Sequence, residues 1–178
     1  ERRHQRFAET MAQPAIERML DVGGCPGDWH GRGTVVHHVD CLNLVAQDPA
    51  DAPKDSPSIA SIEGDGRGLP FANASYEVVY SNSVIEHVGD QDDQAAFARE
   101  ILRVGRRIWV QTPAWECPVE PHYLGLFVHW IPTALRWPFI RWTTVIGLTG
   151  AAGEEGLRNI MRTTRLLRKR EFAAMFPG

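Results

Sequence analysis

The chain has 178 residues, 43% of them hydrophobic and 23% charged, with a formal net charge of −3, a balance that excludes a disordered chain and allows one domain with a buried core. No run of about 18 uncharged apolar residues occurs, which excludes a spanning helix. Three cysteines without Cys-x-x-Cys spacing, Cys25, Cys41 and Cys117, give neither a disulfide framework nor a structural zinc site and point to a reducing, cytoplasmic setting.

In chain order, residues 4–17 read as a short helix and residues 18–22 as an apolar strand. That strand carries a single acid, Asp21, and runs into Gly23-Gly24-Cys25-Pro26-Gly27-Asp28-Trp29. Such a loop feeds the N-terminus of a following helix, here short or irregular over 28–32, and is the usual seat of a nucleotide-like cofactor. Residues 34–44 are β-branched and predict strand two, and residues 46–58, with three prolines and three aspartates, predict a polar loop. Ser58–Glu63 is strand three, ending at Gly64-Asp65-Gly66. Tyr76–Ser81 is strand four, followed by Asn82-Ser83-Val84-Ile85-Glu86-His87-Val88. Asp92–Arg103 is an amphipathic helix, and Arg107–Gln111 is strand five. Alternating strands and helices predict a parallel sheet with crossover helices.

Three segments in order, 20–29, 62–71 and 76–88, resemble the S-adenosylmethionine-dependent methyltransferases of the Rossmann-like class, in the type 11 group. That family's segments run Leu-Asp-Val-Gly-Cys-Gly-x-Gly, Gly-Asp-Ala-x-x-Leu-Pro-Phe and Phe-Asp-Val-Val with a Glu-His-Val tail. The resemblance covers roughly residues 18–113. It implies an α/β, three-layer Rossmann-like fold with a mostly parallel sheet. The sheet looks incomplete at its C-terminal edge, because the family's closing antiparallel strand pair has no counterpart after Pro113. The chain departs from the pattern at Cys25, where the family has glycine, and at Glu77, where it has aspartate.

The resemblance also implies site roles. Gly23, Gly24 and Gly27 let the loop backbone approach the amino-acid end of S-adenosylmethionine, and Asp21 orders that loop and the cofactor ammonium. The ribose falls to Asn43 or to Asp40, with Asn43 preferred on its interval from Gly27. Asp65, beside Gly66, is positioned for the adenine amine, against the alternative of an Asx turn. Ser81 and Asn82 close strand four at the pocket mouth. His87 is the candidate general base, with a packed histidine as the alternative. A related Glu-x-x-Glu-His metal segment of quinone-biosynthesis methyltransferases has Ser83 in its first position here, so no metal is expected.

Residues 1–113 therefore form the expected cofactor-binding core, and residues 114–178 an aromatic and basic helical segment. Four of the six tryptophans, Trp115, Trp130, Trp137 and Trp142, lie in 115–142, and residues 154–176 read as one or two helices. The aromatic stretch is a substrate lid led by Tyr123, Phe127 and Trp130, a peripheral membrane anchor led by Trp137 and Trp142, or a domain-closing helical pair. Residues 131–178 hold eight Arg/Lys against three Glu, while residues 1–130 hold eleven basic and nineteen acidic residues. That acidic body argues against nucleic acid as partner. The expected activity is methyl transfer to a small molecule, glycan or lipid. An RNA methyltransferase, favoured by Pro26-Gly27-Asp28-Trp29, and a degenerate binding protein are the alternatives.

Overall fold

Apolar runs such as Met19-Leu20 and Val78-Val79 suit strands covered on both faces, and they occupy the middle of the sheet. The computed structural model describes residues 2–48 and 53–177. The first elements are α1 (Arg2–Met11), β1 (Ile16–Val22), β2 (Val36–Asn43), β3 (Ser58–Glu63), β4 (Tyr76–Asn82), α2 (Gln91–Val104) and β5 (Gly105–Gln111). They are followed by β6 (Val119–Glu120), β7 (Gly125–Leu126), α3 (Thr133–Thr143), α4 (Val145–Thr149), α5 (Gly153–Thr163) and α6 (Lys169–Met175).

Strands β1 to β5 form one parallel sheet in the order β3-β2-β1-β4-β5. Leu20 of β1 sits between Asp40 of β2 and Val79 of β4. The chain leaves β1 on one side for β2 and β3 and comes back on the other for β4 and β5. Strand order therefore reverses between β1 and β4, and the carboxyl ends of the strands at such a switch point are the usual ligand position of open parallel sheets.

Alternation along the strands gives the sheet two buried faces. On one, Met19, Val39, Val78 and Tyr80 pack with Phe7 of α1 and with Trp29. On the other, Val22 and Val79 face α2, whose Phe97 and Ile101 approach Gly66 and Gly105 closely. Helix α2 buries Gln94, Phe97, Ala98, Ile101 and Val104 on one stripe, and its acids Asp92 and Asp93 lie in the first turn with Arg103 in the last, an arrangement that suits the helix dipole.

Several boundaries differ from the sequence reading. The first helix ends at Met11, and β1 begins at Ile16. The helix expected after the glycine loop is a four-residue 3-10 turn, Pro26–Trp29, too short to build a macrodipole. Among the described residues α2 is the one helix joining two strands of the sheet. The β2–β3 and β3–β4 connections are too rich in Gly, Pro, Asp and Ser to carry an apolar helical period. The predicted polar loop over 46–58 falls partly outside the described residues.

Two compact units emerge. One comprises Glu1–Ile85 and Gln91–Gln111, and the other Glu86–Asp90 and Thr112–Gly178. The division thus falls near the expected boundary at 113, but residues 86–90 go with the second unit. That unit holds β6 and β7, an antiparallel pair of two residues each in a sheet of its own, in a stretch for which no strand was expected. Its core is Tyr123, Val128, Ile140 and Leu157, with Trp137, Phe139 and Ile160 packed against it.

Candidate functional site

The first candidate site lies at the carboxyl end of β1, in the first unit. Asp21 is 1% exposed. Its Oδ2 accepts a 2.7 Å bond from the Trp29 indole N–H, and its Oδ1 is buried without a hydrogen-bond partner among the described residues. Burial, with a smaller contribution from nearby Asp28, pushes the carboxyl up to about 7 against the opposing Trp29 bond. A buried carboxylate oxygen with nothing to accept from is costly, and a cationic donor is its natural complement.

The glycines of the loop have distinct reasons. Gly23 has φ +84°, and a Cβ there would lie 2.5 and 2.7 Å from the Val84 methyl carbons. A Cβ on Gly24 would run into the Asp21 carboxylate itself. Gly27 is different: an added Cβ would meet nothing within 4 Å among the described residues, so their packing does not require glycine there. Cys25 is exposed.

The two ribose candidates separate clearly. Asp40 is buried in mid-strand and accepts from Tyr76 Oη at 2.7 Å and from Arg18 NH2 at 2.7 Å, with His38 Nε2 at 2.9 Å. Burial acts to raise its carboxyl, but these three bonds together hold it below the usual carboxylate value. Its oxygens are committed to the sheet. Asn43 sits at the end of β2 and donates to the Gly24 carbonyl at 2.9 Å, leaving its amide oxygen at the loop.

Three expected cofactor residues are engaged elsewhere. Asp65 is half-buried and accepts from Arg67, at 2.9 Å from its backbone N–H and at 2.6 Å from NH2, while Arg67 NH1 also reaches Asp93 at 2.8 Å. The Arg67 bonds hold its carboxyl low; this is the Asx-turn alternative, reinforced by a salt bridge. Gly66 is a packing glycine, since a Cβ would come within 2.6 Å of the Phe97 ring. Ser81 is buried and donates to the Val22 carbonyl at 3.0 Å, tying the ends of β4 and β1 together rather than presenting its hydroxyl. Asn82 ends β4 and is half-buried.

His87 belongs to the second unit and ends a 3-10 turn over Ile85–His87. Its Nε2 lies 3.0 Å from Nε2 of His122, and its Nδ1 lies 3.4 Å from Thr164 Oγ1. Burial lowers the pKa of His87. The hydrogen bond to Glu120, Nδ1 to Oε1 at 2.6 Å, raises that of His122. A general base needs a free ring nitrogen, and the Nε2 of His87 is paired. Nothing in the sequence joins positions 87 and 122; the turn that sets Glu120-Pro121-His122 against Glu86-His87 is visible only in three dimensions. Trp29 stood out in the sequence only as the end of the glycine loop, with no sign that it donates to Asp21.

The aromatic stretch divides otherwise than expected. Tyr123 is a core residue, 4% exposed, so it is not a lid residue. Trp137 packs on the same core with the Arg158 guanidinium 3.8 Å over its ring, so it is not free to anchor. Phe127, Trp130 and Trp142 are exposed.

Residues 20–107 match the family model described as a methyltransferase domain. The ubiquinone/menaquinone biosynthesis C-methyltransferase UbiE of Paracoccus denitrificans is 30% identical over 103 residues, 53% of this chain and 41% of that protein. Among solved structures, a chain of the complex between the Haloferax volcanii Trm112 methyltransferase activator and a methyltransferase aligns with a TM-score of 0.58 at 14% identity, over 97% of this chain and 65% of that one. A Bacillus halodurans protein described as a methyltransferase gives 0.56 at 16% identity, over 96% and 65%. The chain thus spans less than half of the length of the UbiE relative and about two thirds of those two structures; at these identities the structural likeness is one of fold.

Proposed function

Because residues 20–107 make this chain a member of the methyltransferase domain family, of the Rossmann-like class, we propose that it binds S-adenosylmethionine at the carboxyl ends of β1 and β4 and transfers its methyl group to an acceptor. The observation that carries this reading is the unpartnered, fully buried Oδ1 of Asp21 beneath a glycine loop at the switch point of the sheet. An α-ammonium group donates where that oxygen needs a donor. When bound, the cofactor supplies an electrophilic methyl on a sulfonium leaving group. The chain's own contribution is placement. Asp21 holds the amino-acid end, and the Gly23-Gly24 backbone follows it closely. Asn43 offers its amide oxygen to a ribose hydroxyl. Alignment of this kind supplies roughly 7–11 kcal/mol of a displacement barrier, which is why strong acid–base machinery is not required.

Calorimetric titration with S-adenosylmethionine is expected to show one site per chain. Asn43→Ala is expected to weaken it about 3–10-fold, the range for one neutral hydrogen bond. Asp40→Ala is expected to leave the affinity near wild type but to lower folding stability by about 2–3 kcal/mol, since it strands Tyr76 and Arg18. Absence of binding at millimolar cofactor ends the reading, and equal affinity loss in both variants reverses the ribose assignment.

One observation favours a lipid among small-molecule, glycan and lipid acceptors. Leu135, Trp142, Val145 and Leu148 of α3 and α4 are all exposed, and the Arg141 guanidinium lies 5.1 Å from the Trp142 ring centroid. Apolar side chains beside arginine suit an anionic bilayer surface, although no helix among the described residues is long and apolar enough to cross a membrane. Co-sedimentation with phosphatidylglycerol vesicles is expected at low salt, to fade with added salt, and to drop several-fold in Trp142→Ala. No sedimentation at low salt removes the lipid from consideration.

A further inference from the structure

We propose that Glu86, His87 and His122 of the second unit bind one divalent transition-metal ion, with Glu120 as the residue that orients His122. The site uses none of the groups assigned to S-adenosylmethionine and stands independently of that reading.

The geometry is that of converging ligands. One carboxylate oxygen of Glu86 and one ring nitrogen from each histidine all lie within 4.8 Å of one another. The two Nε2 atoms are 3.0 Å apart. Imidazole–metal bonds of about 2.1 Å placed at right angles put two nitrogens about 3 Å apart, so the pair already spans one edge of a coordination shell. Two facing imidazole nitrogens can otherwise be satisfied only by sharing a single proton.

Glu86 supplies the second, independent observation. Its side chain is fully buried, and Oε2 accepts from Thr112 Oγ1 at 2.7 Å, while Oε1 is buried with no hydrogen-bond partner among the described residues. That oxygen requires a cation or a donor.

The support behind the ligands has the form that metal-binding histidines use. Glu120, 1% exposed, takes His122 Nδ1 on Oε1 at 2.6 Å and the Tyr123 backbone N–H on Oε2 at 3.1 Å. A carboxylate on one ring nitrogen fixes the tautomer, directs the lone pair of the other nitrogen outward and raises its basicity. Thr164 Oγ1, 3.4 Å from His87 Nδ1, stands in the corresponding place for the second ring. Two imidazoles and a carboxylate select zinc, cobalt, iron or manganese over magnesium and calcium, which prefer all-oxygen shells. Three protein ligands leave open positions for water or for an oxygen of a bound molecule.

The test is a titration of the chelator-stripped full chain with Co2+, read by its visible d–d absorption, followed by displacement with Zn2+. The expected result is one Co2+ per chain, without the near-ultraviolet thiolate band that ligation by Cys25 or Cys117 would give. His122→Ala and His87→Asn are each expected to weaken Co2+ binding about 100-fold, and Glu86→Gln at least about 10-fold. Glu120→Gln, which removes no ligand, is expected to weaken it about 10–100-fold. Circular dichroism identifies any variant that fails to fold, and the remaining ones decide the matter. Cofactor titration of the same variants is expected to match wild type, which separates this site from the methyltransferase reading. Co2+ affinity unchanged in folded His87→Asn or Glu86→Gln, or a thiolate band in wild type, overturns the proposal.

Discussion

Asp21→Asn is expected to make the cofactor-free chain more stable than wild type above pH 7 while weakening S-adenosylmethionine about 10–100-fold. In the folded chain Asp21 keeps its proton up to about pH 7, whereas once unfolded its carboxyl ionises at its ordinary 3.8. Between those values the folded chain binds the extra proton, so wild-type stability declines as pH rises through the window. About three pKa units correspond to roughly 4 kcal/mol at full ionisation. Asparagine has no proton to lose, and its carbonyl still accepts from the Trp29 indole. Urea unfolding at pH 4.5, 6 and 8 should show the variant gaining on wild type at each step. The affinity loss follows from replacing a charge-assisted bond to the cofactor ammonium. A stability difference that does not change with pH would mean that Asp21 is not the buried acid described here.

The second large effect is expected in the glycine loop. Gly23→Val combines a positive φ of +84° with a collision against Val84. Left-handed backbone costs about 1–2 kcal/mol and overpacking about 1–3 kcal/mol, more for a β-branched residue, so a loss of about 3–5 kcal/mol is expected. Gly24→Ala sets a methyl against the Asp21 carboxylate and should cost about 1–3 kcal/mol. Gly27→Ala, with open space around its Cβ among the described residues, should unfold like wild type yet bind S-adenosylmethionine more weakly, because a methyl there would stand in the way of a ligand following the loop. If Gly27→Ala binds normally, the cofactor does not follow the loop as far as residue 27. If Gly23→Val is as stable as wild type, the loop has another conformation.

The sheet was legible in the sequence because its signals are local. Apolar runs ending in Asp21, Gly64 and Asn82 mark the strands, and the stripe of Phe97, Ile101 and Val104 marks α2. The glycine loop was legible for the same reason, down to the acid at its start. What was not legible depends on partners distant in sequence. Asp40 and Asn43 differ by three positions in one strand, yet only pairing with Tyr76 and Arg18 shows that Asp40 is spoken for. Asp65 and Ser81 carry the expected residue types in the expected places, but Arg67 and the Val22 carbonyl take their bonds. The facing rings of His87 and His122 come from segments with no common periodicity. Short antiparallel pairs such as β6 and β7 leave almost no alternation to detect.

The strand order also fixes how the sheet comes together as the chain folds. Leu20 meets Asp40 after a closure of about 20 residues but meets Val79 only after about 60, and the longer closure costs about 1 kcal/mol more in chain entropy. Pairing of β1 with β2, and of β2 with β3, is therefore the easier early event, during which one side of β1 still lacks its neighbour. The arrival of β4 fills that side and delivers Val84 against Gly23. The glycine loop receives the Val84 side chain in the same step that closes the sheet, so the surroundings of Gly23 are completed late.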